Sequence, residues 1–426
     1  MSKSKHIIHR VNLELEAPDQ QTARQLQEDA IRILKNDVLP LLDKYLHSIE
    51  TGNRIFRINE FDLNLADIRS EDFEAEFTAA LINKFKEQIE KIVDPHGSHE
   101  DDEPVTKLTQ DESDFERFLY FLKTGHLPWW SSREDAFPDE PALLKNPLLA
   151  KQTYRKRLIM LLFANGVALE RLLLQFTNEF AVSLVLTALN ARPEEKSKAR
   201  KLLKENQTSG SNLKNQLIDL MKEVQQKEKD VGEPKDKASS DEAKQEELIQ
   251  DEPATPFPVD GIFVQNAGLV LLHPFLEYFF LEFKLLSDQK FVNTKAQITA
   301  IHLLHYLANG KENPMEYELL FEKYLCGWDL EKPVPRRIKL SKAMKTESDK
   351  LLTSAIGHWK SLKKTSSNGL REGFLQREGK LVLNDFQHRL IVEGNATDVL
   401  LSSLPWGYGM IKLPWLDQIL IVDWNH

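Results

Sequence analysis

The last fifty or so residues place the strongest constraint on the fold. Two Leu-Pro-Trp triplets at residues 404–406 and 413–415 flank a glycine-rich turn at 407–409, and an apolar run follows at 419–424. Chain termini usually fray because few contacts hold them in place, and large aromatic side chains stabilise a fold mainly when they are buried. This stretch therefore predicts an ordered segment that docks, with its tryptophans either closing their own domain or facing a partner.

Composition excludes several classes of protein. The chain has 426 residues, 41% of them apolar, which predicts two or three domains with cores of their own. A net charge of -10 would be repelled by nucleic-acid phosphates, so we expect no nucleic-acid partner. The single cysteine, Cys326, permits no internal disulfide and no multi-thiolate metal site. We find no signal-peptide pattern and no run of about 20 apolar residues, and therefore expect a cytoplasmic location without membrane insertion.

The first 94 residues predict a small α+β domain with the order strand, helix, strand, helix. Apolar and polar residues alternate at 7–16 and again at 55–65, a period that indicates two half-buried strands of one sheet. Spacings of three and four at 20–45 predict an amphipathic helix that kinks at Pro40, which has no amide proton. The same spacing at 73–92 predicts the second helix.

Residues 95–112 predict an acidic linker. His96 and His99 stand there among carboxylates, but no ordered element would fix them as metal ligands, so a solvated linker is the better interpretation. A helical domain is predicted at 113–190. Residues 191–256 contain no aromatic side chain and are rich in charge, which predicts a spacer without a core, either a linker or an exposed helix.

Residues 257–426 predict a mixed C-terminal α+β domain. Helical spacing dominates as far as residue 364, and a period of two at 379–383 and 388–393 then predicts a hairpin. Over the whole chain, these patterns predict a predominantly α-helical α+β protein that ends in β-hairpins.

The sequence offers no catalytic motif. It has no phosphate-binding loop, no Gly-x-Ser-x-Gly and no His-Glu-x-x-His. His302 and His305 stand three residues apart on a predicted helix, where core or rim positions are commoner than metal ligation. A hydrolase could pair Cys326 with one of these histidines, but nothing local would activate the thiol. We therefore predict no enzyme activity, no cofactor and no metal.

The C-terminal domain resembles a known family. The blocks that carry the resemblance are LLHPFL at 271–276, LLHYLANG at 303–310, KYLCG at 323–327, HWKSLK at 358–363, GLREGFLQREG at 369–379 and the two Leu-Pro-Trp triplets. They resemble the tape measure family of contractile injection systems, which are phage-tail-like particles built by bacteria. The opening strand and the turn at 125–130 are similar to further blocks of that family.

The resemblance implies a non-enzymatic structural protein that assembles with the inner tube, baseplate or spike and with further copies of itself. It also implies a role in setting tube length. A fully helical chain would reach about 640 Å, and folded domains shorten that reach, so a ruler and an assembly factor, cap or scaffold stand as alternatives. The candidate partner-binding residues are Leu404, Pro405, Trp406, Leu413, Pro414, Trp415, Leu370 and Arg371.

A second hypothesis is a cytoplasmic chaperone or loading factor for injected cargo. The acidic net charge and the separate N-terminal α+β domain motivate it. Presence of the chain in finished particles separates the two hypotheses, because a loading factor leaves before the particle is complete.

Overall fold

Helices predominate over short strands in the computed structural model. The structure describes residues 5–49, 54–65, 67–68, 72–93, 105–131, 137–205, 210–230, 261–384 and 387–424. The chain divides into two units. The N-terminal unit comprises residues 1–116 and 129–137, and the C-terminal unit comprises residues 117–128 and 138–426. The predicted class, predominantly helical α+β, is confirmed.

The N-terminal unit is built on two helical segments and a two-stranded sheet. Its elements are α1 (Gln20–Ile33), a π-helical turn (Leu34–Val38), α2 (Leu39–His47), β1 (Arg54–Ile58), α3 (Phe73–Val93), β2 (Val105–Thr109) and the first part of α4 (Gln110–Thr124). The core consists of Ala30, Ile33, Val38 and Leu42 packed with Phe77 and Leu81 of α3.

A π turn stands where the sequence predicts a kink at Pro40. Asp19 caps α1 by accepting hydrogen bonds from the amides of Gln21 and Thr22 at 2.9 Å. The helix then widens into a π turn at Leu34–Val38, directly before α2, which carries Pro40 in its first turn. Because proline has no amide proton and its ring crowds the carbonyl of residue i−4, a wider turn lets the helix continue without a break.

The predicted strand at 7–16 is wrong. Residues 5–17 form no strand, and Ile7, Ile8 and Val11 are exposed, while Leu15 packs against the core. β1 instead pairs antiparallel with β2, from Arg54 opposite Thr109 to Ile58 opposite Val105. β2 lies inside the range predicted to be an acidic linker. An alternating pattern becomes a strand only where it pairs with a partner strand, and β1 is the strand that pairs with β2.

The C-terminal unit begins with the rest of α4 and a group of helices and ends in a mixed region. The helices of the first part are α5 (Glu140–Lys145), α6 (Gln152–Ala164), α7 (Gly166–Gln175), α8 (Asn178–Ala188), α9 (Pro193–Glu205) and α10 (Gly210–Asp230). Among the described residues, no single helix is long and apolar enough to cross a membrane; α6 and α7 reach that length only together, and they bend by 101°.

The mixed region contains five further helices and seven strands within the described residues. In chain order they are β3 (Ile262–Val264), α11 (His273–Glu282), β4 (Leu286–Ser287), β5 (Lys290–Phe291), α12 (Thr294–Asn309), α13 (Leu320–Leu325), α14 (Lys342–His358), α15 (Ser367–Leu370), β6 (Gly379–Leu383), β7 (His388–Val392), β8 (Met410–Ile411) and β9 (Leu420–Trp424). Short 3-10 or π turns at 267–272, 316–319, 360–362, 371–375 and 396–403 join them.

The helices of the predicted spacer have a buried face. α10 packs against α7 and α9 and buries Leu213, Leu217, Leu220, Met221 and Val224. The prediction of a spacer without a core is therefore wrong for α9 and α10; the part from residue 231 to 256 lies outside the described residues. The absence of aromatic residues did not mean the absence of a core, because an aliphatic stripe at helical spacing is enough to bury one side of a helix.

A five-stranded sheet with the order β3-β6-β7-β9-β8 organises the mixed region. β6 and β7 form the predicted hairpin. β9 is parallel to β7, with His388 opposite Leu420, and antiparallel to β8. Parallel neighbours need a long connection, which residues 393–419 supply. Both Leu-Pro-Trp triplets thus lie in this crossover.

Three charged side chains with no exposed surface join the first part of the C-terminal unit to its mixed region. Arg171 of α7 donates from Nε to Oε2 of Glu316 at 2.8 Å, and Nζ of Lys323 donates to Oε1 of the same carboxylate at 2.9 Å. We call this group the buried ion triad. Arg171 also donates to the carbonyls of Leu122 and Glu331, which ties α4 and the loop after α13 to α7.

Gly125 explains why α4 ends where it does. Its φ angle is +84°, and a Cβ atom there would lie 2.7 Å from Oε1 of Glu316 and 2.9 Å from Nη2 of Arg171. Only glycine adopts this backbone conformation without strain and leaves room for the triad. Gly125 therefore ends α4 and also leaves space for the side chains of the buried ion triad.

We predict that Glu316→Gln lowers the free energy of unfolding of the C-terminal unit by about 3–5 kcal/mol, because it leaves two buried cations without their counter-ion. Burial already lowers the pKa of Lys323, although Glu316 opposes this effect. The loss should therefore shrink as the pH is raised and Lys323 gives up its proton. Urea denaturation at several pH values measures both effects.

Glu223→Gln is the matched control. It makes the same chemical change in an exposed pair between Glu223 and Lys198, whose side chains are 40% and 56% exposed. Exposed pairs contribute at most about 1 kcal/mol. Equal losses in the two variants would contradict the role given to the triad.

Candidate partner-binding surface

The first triplet is attached to its own domain through Trp406. The Trp406 ring meets Phe275 of α11 edge-on, with ring centroids 5.1 Å apart. Its Nε1 donates to the carbonyl of Leu271 at 2.9 Å. Leu404 and the tryptophan are half-buried, and Pro405 is exposed.

The second triplet is attached in the same way. The Trp415 ring lies 5.4 Å from Phe280 of α11 and 5.8 Å from Phe291 of β5, centroid to centroid. Its Nε1 donates to the carbonyl of Leu325 at 2.8 Å. Leu413 is buried and Pro414 is half-buried. Each ring therefore closes its own domain and keeps part of its surface exposed.

Both tryptophans contact α11, but on different flanks. Phe275 and Phe280 are five residues apart, which places them about 140° apart around the helix axis. The structure thus brings the two triplets, nine residues apart in sequence, to the two sides of one helix. The face of α11 that points away from the core lies between them.

That outer face is apolar. Tyr278 is 77% exposed and Leu281 is 43% exposed, and Pro274 is also exposed on the same side. We call Pro274, Tyr278 and Leu281 the α11 surface. Sequence reasoning missed Tyr278 and Leu281. The signal was present, because residues 275–281 read FLEYFFL, and a helix that is apolar on nearly every side is either fully buried or covered by a partner.

Leu370 and Arg371 do not belong to this surface. Leu370 is buried, and Arg371 is only 6% exposed. The guanidinium donates to the carbonyl of Leu307 at 3.1 Å and to the carboxylate of Asp349 at 2.8 Å, which joins α12 to α14. The sequence alone cannot distinguish an arginine that binds a partner from one that forms hydrogen bonds within its own domain. The contacts of Arg371 are of the second kind.

A second charged cluster, also missed from the sequence, holds the crossover to the last strand. Arg377 donates a bidentate pair of hydrogen bonds to Asp398, both at 2.9 Å, and Nε1 of Trp424 donates to the same carboxylate at 2.9 Å. Burial works to raise the pKa of Asp398, but hydrogen bonds from the Asn395 amide, Arg377 and Trp424 outweigh it and lower the pKa. The carboxylate is therefore charged and fixed.

The residues considered for catalysis are held as parts of the core. Cys326 is buried, and burial raises the pKa of its thiol well above the usual value, which disfavours the reactive thiolate. Burial also lowers the pKa of His302 to about 4, and its Nε2 lies 2.8 Å from the carbonyl of Pro335. Nδ1 of His305 lies 3.3 Å from Oε1 of Glu322. These contacts favour a structural role.

Comparison with known families decides what the chain is. A family model described as contractile injection system tape measure protein matches residues 5–424. The chain belongs to this family. A search of curated proteins found no match, and a search of solved structures found none. The tape measure model covers both units, so the N-terminal unit and the crossover belong to one family architecture.

We predict that Trp406→Phe and Trp415→Phe each lower the free energy of unfolding of this tape measure family member by about 1 kcal/mol, because each loses one hydrogen bond to a backbone carbonyl. Alanine at either position should cost about 3 kcal/mol, because a packed ring is lost. Chemical denaturation measures these changes.

Tyr278→Ser provides the contrast for these variants. Its side chain is 77% exposed and contributes little to the core, so stability should change by less than about 0.5 kcal/mol. Losses of similar size at Tyr278 and at the two tryptophans would contradict the division between closing rings and a free outer face.

Proposed function

We propose that the chain is a non-enzymatic assembly protein of a contractile injection particle and that its α11 surface docks onto a tube or baseplate protein. Family membership supports the setting. The observation that carries the docking surface is the exposed apolar side of α11, where Tyr278 and Leu281 present large side chains to solvent. Tyrosine is a frequent anchor in protein interfaces, since its ring buries much area and its hydroxyl stays hydrated.

The rim of the α11 surface indicates the chemistry of the partner. Glu277 is half-buried and Glu282 is exposed, one on each side of the apolar stripe along α11. Trp406 and Trp415 fix the helix at both flanks, so the surface is held rigidly before any partner arrives. A preorganised site loses less conformational entropy on binding. We therefore expect a partner with an apolar pocket and basic residues around it.

The double variant Tyr278→Ser with Leu281→Ser tests this surface. Two anchors worth about 2 kcal/mol each would weaken docking at least about tenfold. We expect the purified protein to fold normally while electron microscopy shows at least about tenfold fewer complete particles. Met160→Ser is the control, because Met160 on α6 is an equally exposed apolar side chain, 67% accessible.

If the double variant forms as many particles as the wild type, the proposed docking surface is wrong.

Mass spectrometry of the purified wild-type particles separates the proposed component from a loading factor. We expect the chain to be made in the bacterial cytoplasm and to be present in finished particles. Its absence from them would favour the chaperone hypothesis and leave the measured effect of Tyr278 to be explained by cargo handling.

Setting tube length is a separate proposal, and the described helices bear on how it would work. The longest regular α-helices are α3 and α10, with 21 residues each, and the continuous run of α1, its π turn and α2 has 28 residues, so none exceeds about 42 Å. Both α3 and α10 pack against other helices. We propose that any control of length comes from how copies assemble with the tube and not from one chain stretched along it.

Deleting residues 233–254 tests the mechanism without touching a described element. If a single extended chain measured the tube, the loss of 22 helical residues would shorten it by about 33 Å. We expect mean tube length, measured by electron microscopy over many particles, to stay unchanged. A shortening proportional to the deletion would support the ruler and contradict this proposal.

A further inference from the structure

Two histidines and one aspartate of the N-terminal unit converge at one point. Asp43 and His47 lie one turn apart on α2, and His6 reaches them from the segment that precedes α1. Nδ1 of His6 lies 2.8 Å from Oδ1 of Asp43, and Nδ1 of His47 lies 3.5 Å from Oδ2. The two imidazole rings stand edge to face with centroids 4.6 Å apart.

We propose that His6, Asp43 and His47 bind a divalent transition-metal ion of the zinc class. One ligand atom from each of the three residues lies within 4.8 Å of the other two. Ligands about 2.1 Å from a tetrahedral zinc ion stand roughly 3.4 Å apart. Closing the cluster requires rotation of side chains, because Nδ1 of His47 lies 2.8 Å from the backbone carbonyl oxygen of Asp43. All three side chains are at least partly exposed.

The donor set indicates which cations would bind. Two imidazole nitrogens with one carboxylate oxygen suit zinc, nickel or copper, whereas magnesium and calcium prefer oxygen donors throughout. The Asp43 side chain is 58% exposed, so its carboxylate is accessible to an ion from solvent. Three protein ligands leave one tetrahedral position for water or for a ligand from another protein.

A bound ion would join the segment that precedes α1 to α2. Residues 5–17 form no strand, and apart from Leu15 their apolar side chains are largely exposed. The ion would hold this segment against α2 and would stabilise only the folded N-terminal unit. Sequence reading missed the site, because His6 stands 37 residues before Asp43 in the chain and only Asp43 and His47 are near one another.

Isothermal titration of the full chain, without an affinity tag, with zinc chloride tests the site. We expect one ion per chain to depend on this cluster, and His6→Asn, Asp43→Asn and His47→Asn each to weaken its affinity at least about tenfold, since even residues that only support a ligand contribute that much. Asp37→Asn is the control, because Asp37 is exposed on the turn that leads into α2. Magnesium chloride should give no binding to the site.

The double variant His96→Asn with His99→Asn separates this site from the acidic stretch that lies outside the described residues. It should leave the affinity for zinc unchanged. Zinc binding that persists in His47→Asn and disappears in the His96 and His99 variant would overturn the proposal, as would no zinc binding at all. X-ray absorption of the zinc-loaded wild type gives an independent measure, and a first shell without imidazole nitrogen would also overturn it.

Discussion

Two buried cations on one buried carboxylate determine how the C-terminal unit holds together. Arg171, Glu316 and Lys323 have no exposed side-chain surface. Charges without water are tolerated only when their hydrogen-bonding groups are satisfied from all sides. The carbonyls that satisfy Arg171 come from α4 and from the loop after α13. Helices far apart in sequence must therefore meet at one place, and Gly125 is required there because any Cβ atom would displace the charges.

The crossover between β7 and β9 holds the mixed region together through side-chain hydrogen bonds. Its two tryptophans donate to the backbone carbonyls of Leu271, directly before α11, and of Leu325, at the end of α13. The Arg377–Asp398 pair then fixes the beginning of the crossover and the indole of Trp424. The same contacts that close the domain also hold α11 with its apolar outer face toward solvent. The crossover therefore both closes the domain and keeps the apolar face of α11 exposed.

Sequence patterns predicted the features that depend on a single element. The kinked helix around Pro40 and the hairpin of β6 and β7 could be identified from local periodicity, and the final stretch could be recognised as ordered from its aromatic content. Features that depend on a partner were not predictable. The alternation at 7–16 predicted a strand, but β2 pairs with β1 and alternation alone does not name the partner. α10 was mistaken for a spacer because its aliphatic stripe needs α7 to be buried. Arg171 and Glu316 are separated by 145 residues, and nothing in either local context indicates their pairing.

The order of strands has a consequence for how the protein is made. β9 lies between β7 and β8 in the finished sheet, although it follows both in the chain. A ribosome must therefore complete residue 424 before the sheet can contain more than the hairpin with β3 on one side. Until then β8 has no neighbour to pair with, and the crossover has no strand to end on. Newly made chains thus acquire the contacts of Trp406 and Trp415 with α11 only after most of the crossover has been synthesised.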